Sequence, residues 1–277
     1  MTAAEQRAAE VRASRPPREP RDPEAERAKI EARTQEEWID EGALRAEASG
    51  AASRAAAAPR PKARRPRGLA PDASTAISAS ARDPKRAQVL TDRLAQAQEA
   101  LDRERFDEAR RIALPLLREL PDVAAVHEVL GLTAYRTGKW KQAAAELETA
   151  QALHPSVELL PVLADVYRAQ RRFGDVERIW TSIREISPSQ EVLAEARIVA
   201  AGAQADQGDL KAALRIMGRS ADVPKRVRDY HLRQWYVLGD LHDRAGDTLE
   251  ATRWFELVAR QDRDFVDVVD RLRALGR

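Results

Sequence analysis

From Asp83 onward, apolar side chains return every three or four places in short runs, and each run closes on Gly, Asp or Pro. That 3.6-residue period predicts amphipathic helices, and no alternating strand-like run interrupts it, so the predicted class is all-α. Asp83-Pro84 supplies a helix start: Asp caps free N–H groups and Pro fits the first helical position. Upstream the pattern lapses. Residues 1–82 hold six Leu, Ile, Val or Phe residues and eight prolines. So little apolar surface does not offset the entropy of ordering a chain, which predicts a disordered tail over 1–82 and a folded region over 83–277. Inside the tail, Asp22-Pro23 followed by Glu24 and Glu26 predicts a short helix over 23–40.

Within the folded region one plan recurs. Val129–Pro155 contains an apolar helix, a Gly138-Lys139-Trp140 turn, an Ala-rich second helix and a closing proline, and Trp235–Gln261 repeats the helix-turn-helix plan without the proline. Pro121 and Pro155 are 34 residues apart, and Pro188 follows 33 later. Trp235, Leu238 and Gly239 form W-x2-L-G, with His242 where an aromatic is usual; Ala251 and Phe255 then form A-x3-F. Leu130, Gly131, Ala143, Leu147, Ala150 and Pro155 follow the same plan, as do Leu163, Ala164, Tyr167, Trp180 and Pro188. Period and positions resemble the tetratricopeptide repeat family. The resemblance implies a right-handed α-solenoid of about five helix pairs over residues 90–264. Phe265–Leu275 should then form a capping helix with Phe265, Val268, Val269 and Leu272 on one side. The fourth unit, around Ala200 and Ala213, lacks a closing proline. Pro115 should bend the second helix of unit one, and a helix starting near Leu160 should make Pro161 harmless.

Composition narrows the function. A net charge of +2 announces no nucleic-acid or membrane partner by itself. Without cysteine, no disulfide, thiolate metal site or thiol nucleophile exists. No run of 18 apolar residues suggests a membrane span, and no apolar leader core is evident, so the expectation is a soluble cytoplasmic protein of bacterial type. Of the four histidines only His231 and His242 share a helix face, about 16 Å apart and too far for one metal. No phosphate-binding glycine loop and no G-x-S-x-G occurs. No catalytic, cofactor or metal site is expected.

The resemblance implies binding on a groove lined by the first helix of each unit. Its groove places fall here on Glu128, Leu132, Tyr135, Arg136, Asp165, Arg168, Ile198, Asp206, Arg233, Tyr236, Asp240 and Asp243. Further places fall on Leu94, Leu101, Asp102, Glu158, Glu195 and Arg244. Eight acids against four bases imply an extended or helical protein segment carrying positive charge as partner. The Lys and Asn of the family's carboxylate-clamp members are missing at these places, so an acidic chaperone tail is not the expected ligand. Two alternatives stay open. Trp38, or the basic block Arg60, Lys62, Arg64, Arg65 and Arg67, could occupy the groove as the chain's own tail. The acid-free basic stretch 54–67 could instead hold RNA or a ribosome through phosphate contacts. Trp38 reads equally as a docking anchor or as a stray aromatic in a biased segment.

Overall fold

The computed structural model describes residues 71–276. The helix expected at 23–40, Trp38 and the basic block 54–67 lie outside the described residues. Among these the secondary structure is helical, with no strand. Helix α1 (Pro71–Ser80) comes first. Five pairs follow: α2 (Pro84–Asp102) with α3 (Phe106–Ala113), α4 (Ala124–Arg136) with α5 (Trp140–Leu153), and α6 (Leu160–Ala169) with α7 (Phe173–Ile186). Then come α8 (Gln190–Asp206) with α9 (Leu210–Met217), α10 (Asp229–Arg244) with α11 (Thr248–Gln261), and finally α12 (Val268–Ala274). Each pair packs on itself and on its neighbours in the series, which is an α-solenoid.

Local chemistry sets the ends. The Asp83 carboxylate accepts from Arg86 N at 2.9 Å, Asp209 from Ala212 N at 2.8 Å and Asp247 from Glu250 N at 3.2 Å. The turns inside the pairs are all closed the same way. Arg105 N donates to Ala100 O, Lys139 to Ala134, Arg172 to Tyr167, Asp209 to Gln204 and Asp247 to His242, all within 2.8–3.0 Å. This six-to-one closure needs a left-handed residue just before the donor. Gly138, Gly208 and Gly246 supply it with φ of 70°, 87° and 79°. In units one and three Glu104 and Arg171 adopt φ of 60° and 59° at the same place, where a side chain is strained.

Small residues let the two helices of a pair approach. Ala97, Ala164 and Ala201 are buried where the first helix crosses the second, and Ala109, Ala143, Ala213 and Ala251 are fully buried on the second. A Cβ at Gly131 would lie 2.7 Å from Leu147 Cγ, and one at Gly239 2.7 Å from Phe255 Cε1. Buried clusters follow one another along the series, and half-buried Leu132 packs against two of them.

Three expectations need correction or refinement. The described fold starts ahead of residue 83: α1 packs on α2, and Ile77, counted with the tail, is fully buried with Leu90 and Leu94. With one large apolar residue in ten, α1 carries no amphipathic signal, and only tertiary burial reveals it. At Pro115 there is no bent α-helix; α3 stops at Ala113 and the chain tightens into a 3-10 helix over Leu114–Arg118. The proline has no N–H, and its ring clashes with the carbonyl four residues back. The last helix is shorter than expected, with Phe265 buried in the turn before it. Pro161 does sit in the first turn of α6, which starts at Leu160.

Candidate partner-binding face

The first helices α2, α4, α6, α8 and α10 carry the residues expected in the groove, except Glu158 in the 3-10 turn ahead of α6, and their side chains reach one another across the helix boundaries. Tyr135 of α4 donates its hydroxyl to Asp165 Oδ2 of α6 at 2.7 Å. Arg168 donates from Nε to Asp165 Oδ1 at 2.8 Å and from Nη1 to Asp206 Oδ2 of α8 at 2.7 Å. Its guanidinium passes over Gly202, where an added Cβ would meet Arg168 Cδ at 3.5 Å. Between α8 and α10, Arg233 pairs with Glu195 at 2.6 Å, and Arg244 donates to the Ala205 carbonyl at 3.2 Å. From α10 to α12, Arg271 bridges Asp240 at 2.8 Å and Asp243 at 3.1 Å, while the Tyr236 hydroxyl donates to Asp267. Arg136 reaches back to Glu104 at 2.5 Å and lies over the Phe106 ring. Ile198 is half-buried against the C-terminal cluster.

These contacts form a ladder that ties neighbouring first helices together. Burial, reinforced by Asp165, holds the Tyr135 phenol well above its ordinary range, and burial with Asp267 does the same for Tyr236. Burial alone would lower the Arg168 pKa, but Asp165 and Asp206 outweigh it and keep the guanidinium charged. The face is therefore less acidic than a residue count implies. Asp165, Glu195, Asp206, Asp240 and Asp243 are each matched by an arginine.

The N-terminal end of the face differs. Asp102 meets only the Gln98 amide at 3.3 Å, and Glu158 the Ser156 hydroxyl at 3.0 Å. Glu128 is half-buried, and its carboxyl is pushed up first by burial, then by the nearby charges of Asp72 and Glu158, with His154 opposing. Asp72 of α1 pairs with His154 Nε2, at the end of α5, at 3.1 Å. Half-buried Leu132 stands one helical turn after Glu128.

Sequence reasoning missed Glu104, Arg271, Asp267 and Asp72 as members of this face. The Asp267 and Arg271 pair stands four apart on one side of α12, a legible signal, but which helix they meet is a tertiary fact. Asp72 had been assigned to the tail. His242 is mostly enclosed, with its Nδ1 3.3 Å from Asp247 Oδ2. Among the described residues no group of three or more His, Asp or Glu side chains is placed to hold a metal ion, and no helix is long and apolar enough to cross a membrane.

Away from this face, Gly138, Lys139, Trp140, Lys141, Gln142 and Gln170 line a shallow open concavity at the α4–α5 turn. None of the residues expected in the groove lines it.

Comparison with known families agrees with the periodicity. Residues 94–158 and residues 128–175 each match the family model described as tetratricopeptide repeat. No curated protein sequence matches the chain.

Proposed function

The chain is a tetratricopeptide repeat protein, with matched repeats inside residues 94–175, and from that premise we propose a non-enzymatic scaffold that grips a protein partner on its first-helix face. Such repeats generally mediate protein–protein interaction. The gripping surface is the N-terminal part of the face, in units one to three. The observation that carries this reading is the uneven use of the charges. Toward the C-terminus the acids are matched by arginines within the molecule, which leaves them little to offer a ligand. Toward the N-terminus Asp102, Glu128 and Glu158 have no arginine partner among the described residues, and half-buried Leu132 stands one helical turn after Glu128. Acid beside apolar surface suits a segment with bases flanking an apolar anchor.

Proximity crosslinking in cells tests it. The full chain and its Leu132→Arg variant are compared, with circular dichroism to establish that the variant keeps its helices. The expected result is a reproducible partner set captured by the wild type and lost from the folded variant. An unchanged partner set overturns the reading.

A further inference from the structure

We propose that α1 is an in-cis occupant of a helix seat on this face, and that in trans the seat takes a partner helix with a base where α1 carries Asp72. The inference rests on the partner-binding reading above and names the kind of partner. Three observations lead to it.

The first is placement. α1 is followed almost at once by α2, so a helix stacked at the outer edge of unit one would stay beside unit one. Asp72 instead reaches His154, at the end of the second unit, and its charge bears on Glu128 of unit two. Ten helical residues span about 15 Å, enough to cross neighbouring helices packed 8–10 Å apart. α1 therefore packs on α2 and extends past it to unit two. Glu128, which Asp72 approaches, is one of the residues expected in the groove, and Leu94, another, is fully buried in the same cluster as Ile77.

The second is the weakness of the occupant. Among the described side chains of α1, Ala73 and Ile77, four apart on one side, are the buried ones. The Ser78 and Ser80 hydroxyls turn back onto the carbonyls of Ser74 and Ala76, a local bond that does nothing to hold the seat. A helix this short does not persist alone, so α1 is ordered by the seat and leaves it as coil.

The third is charge. Asp72 brings a second carboxylate charge to bear on Glu128, beside that of Glu158, and His154, its ion-pair partner, is the counter-group there. The occupant is repelled where a base would be attracted. A partner helix with the Ala73–Ile77 spacing and Arg or Lys in place of Asp72 keeps the apolar anchors and reverses the electrostatic sign.

The test uses the full chain and two synthetic helical peptides of about twenty residues, long enough to hold helix. Both carry the Ala73–Ile77 pattern at mid-helix; one keeps Asp at the Asp72 place and the other has Arg. Fluorescence anisotropy should show the Arg peptide binding at least about tenfold tighter than the Asp peptide, the size of a single favourable charge contact. In the Glu128→Gln, Glu158→Gln chain that preference should vanish. Joining Asp72→Cys to His154→Cys with a short bis-maleimide, clean in a chain without cysteine, should abolish binding, because a tethered α1 competes at millimolar effective concentration. Amide exchange gives a readout that needs no ligand. Exchange in α1 should slow in the Glu128→Gln, Glu158→Gln chain, where the repulsion is gone, and speed up in Ile77→Asp.

Equal affinity for the two peptides, undiminished binding by the crosslinked chain, or unchanged α1 exchange in the double variant would overturn the seat. If partners are still lost from Leu132→Arg under those results, the face reading stands and only the seat falls. If Leu132→Arg keeps its partners, the face reading falls by itself.

Discussion

At the scale of single residues, the repeat is a set of steric permissions. Gly239 has no room for a methyl group: a Cβ there would lie 2.7 Å from Phe255 Cε1 and 2.9 Å from Cδ1. Phe255 is fully buried and cannot swing away. Gly239→Ala should therefore destabilise by about 1–3 kcal/mol, the usual cost of overpacking a filled core. Arg171 presents the opposite case. It is exposed, yet it holds the left-handed place that glycine occupies in three other units. Arg171→Gly removes the Cβ strain of that conformation and adds unfolded-chain entropy, for a net gain of roughly 0.5–1 kcal/mol. Thermal melting of the two variants should move in opposite directions. Gly239 was legible as a packing position of the repeat. The strain at Arg171 was not, because a repeat consensus says which residue is usual and not how its replacement is accommodated.

At the scale of elements, charged groove places serve as ties between first helices. Arg168 is the central tie, enclosed between Asp165 of its own helix and Asp206 of α8, with its side chain 12% exposed. An enclosed guanidinium with two carboxylates is strongly asymmetric in its energetics: removing the cation leaves two uncompensated acids. Arg168→Met should lower the unfolding free energy in urea by about 3–5 kcal/mol. Adding Asp165→Asn and Asp206→Asn should restore part of that loss. If the triple variant is no more stable than the single one, the ladder does not act as a coupled unit. The residues of this ladder were read from the sequence as a ligand surface. For Tyr135, Asp165, Arg168, Asp206, Arg233 and Asp240, charge count alone could not show that neighbouring helices pair them off.

At the scale of the whole described region, stability is a sum of units and of the interfaces between adjacent units. Helix α12 shows what an end element contributes. It supplies Arg271 to Asp240 and Asp243, and its lead-in places Phe265 on Tyr236 with ring centroids 6.0 Å apart. Removing residues 262–277 should bare Tyr236, Phe255 and the Asp240 carboxylate. Hydrogen exchange should then report lost protection in α10 and α11, while α2 to α5 keep theirs. A uniform loss along the chain would contradict nearest-neighbour coupling.

The sequence by itself determined the helical class, the repeat period, the pairing of helices and the closing turns. Each is written in local spacing: Gly131 and Gly239 facing Leu147 and Phe255, Asp83 capping α2, Pro161 placed in a first turn. Such features act within one helix pair, where a short turn fixes which atoms meet. Only the tertiary structure decided how the first-helix face is used. Arg168, Arg233 and Arg271 meet their acids across tens of residues, and Asp72 crosses from α1 to His154 on unit two. Those encounters depend on the stacking of one unit upon the next. A ligand surface and a molecular tie can thus have the same composition, and the distinction lies in which helix stands opposite.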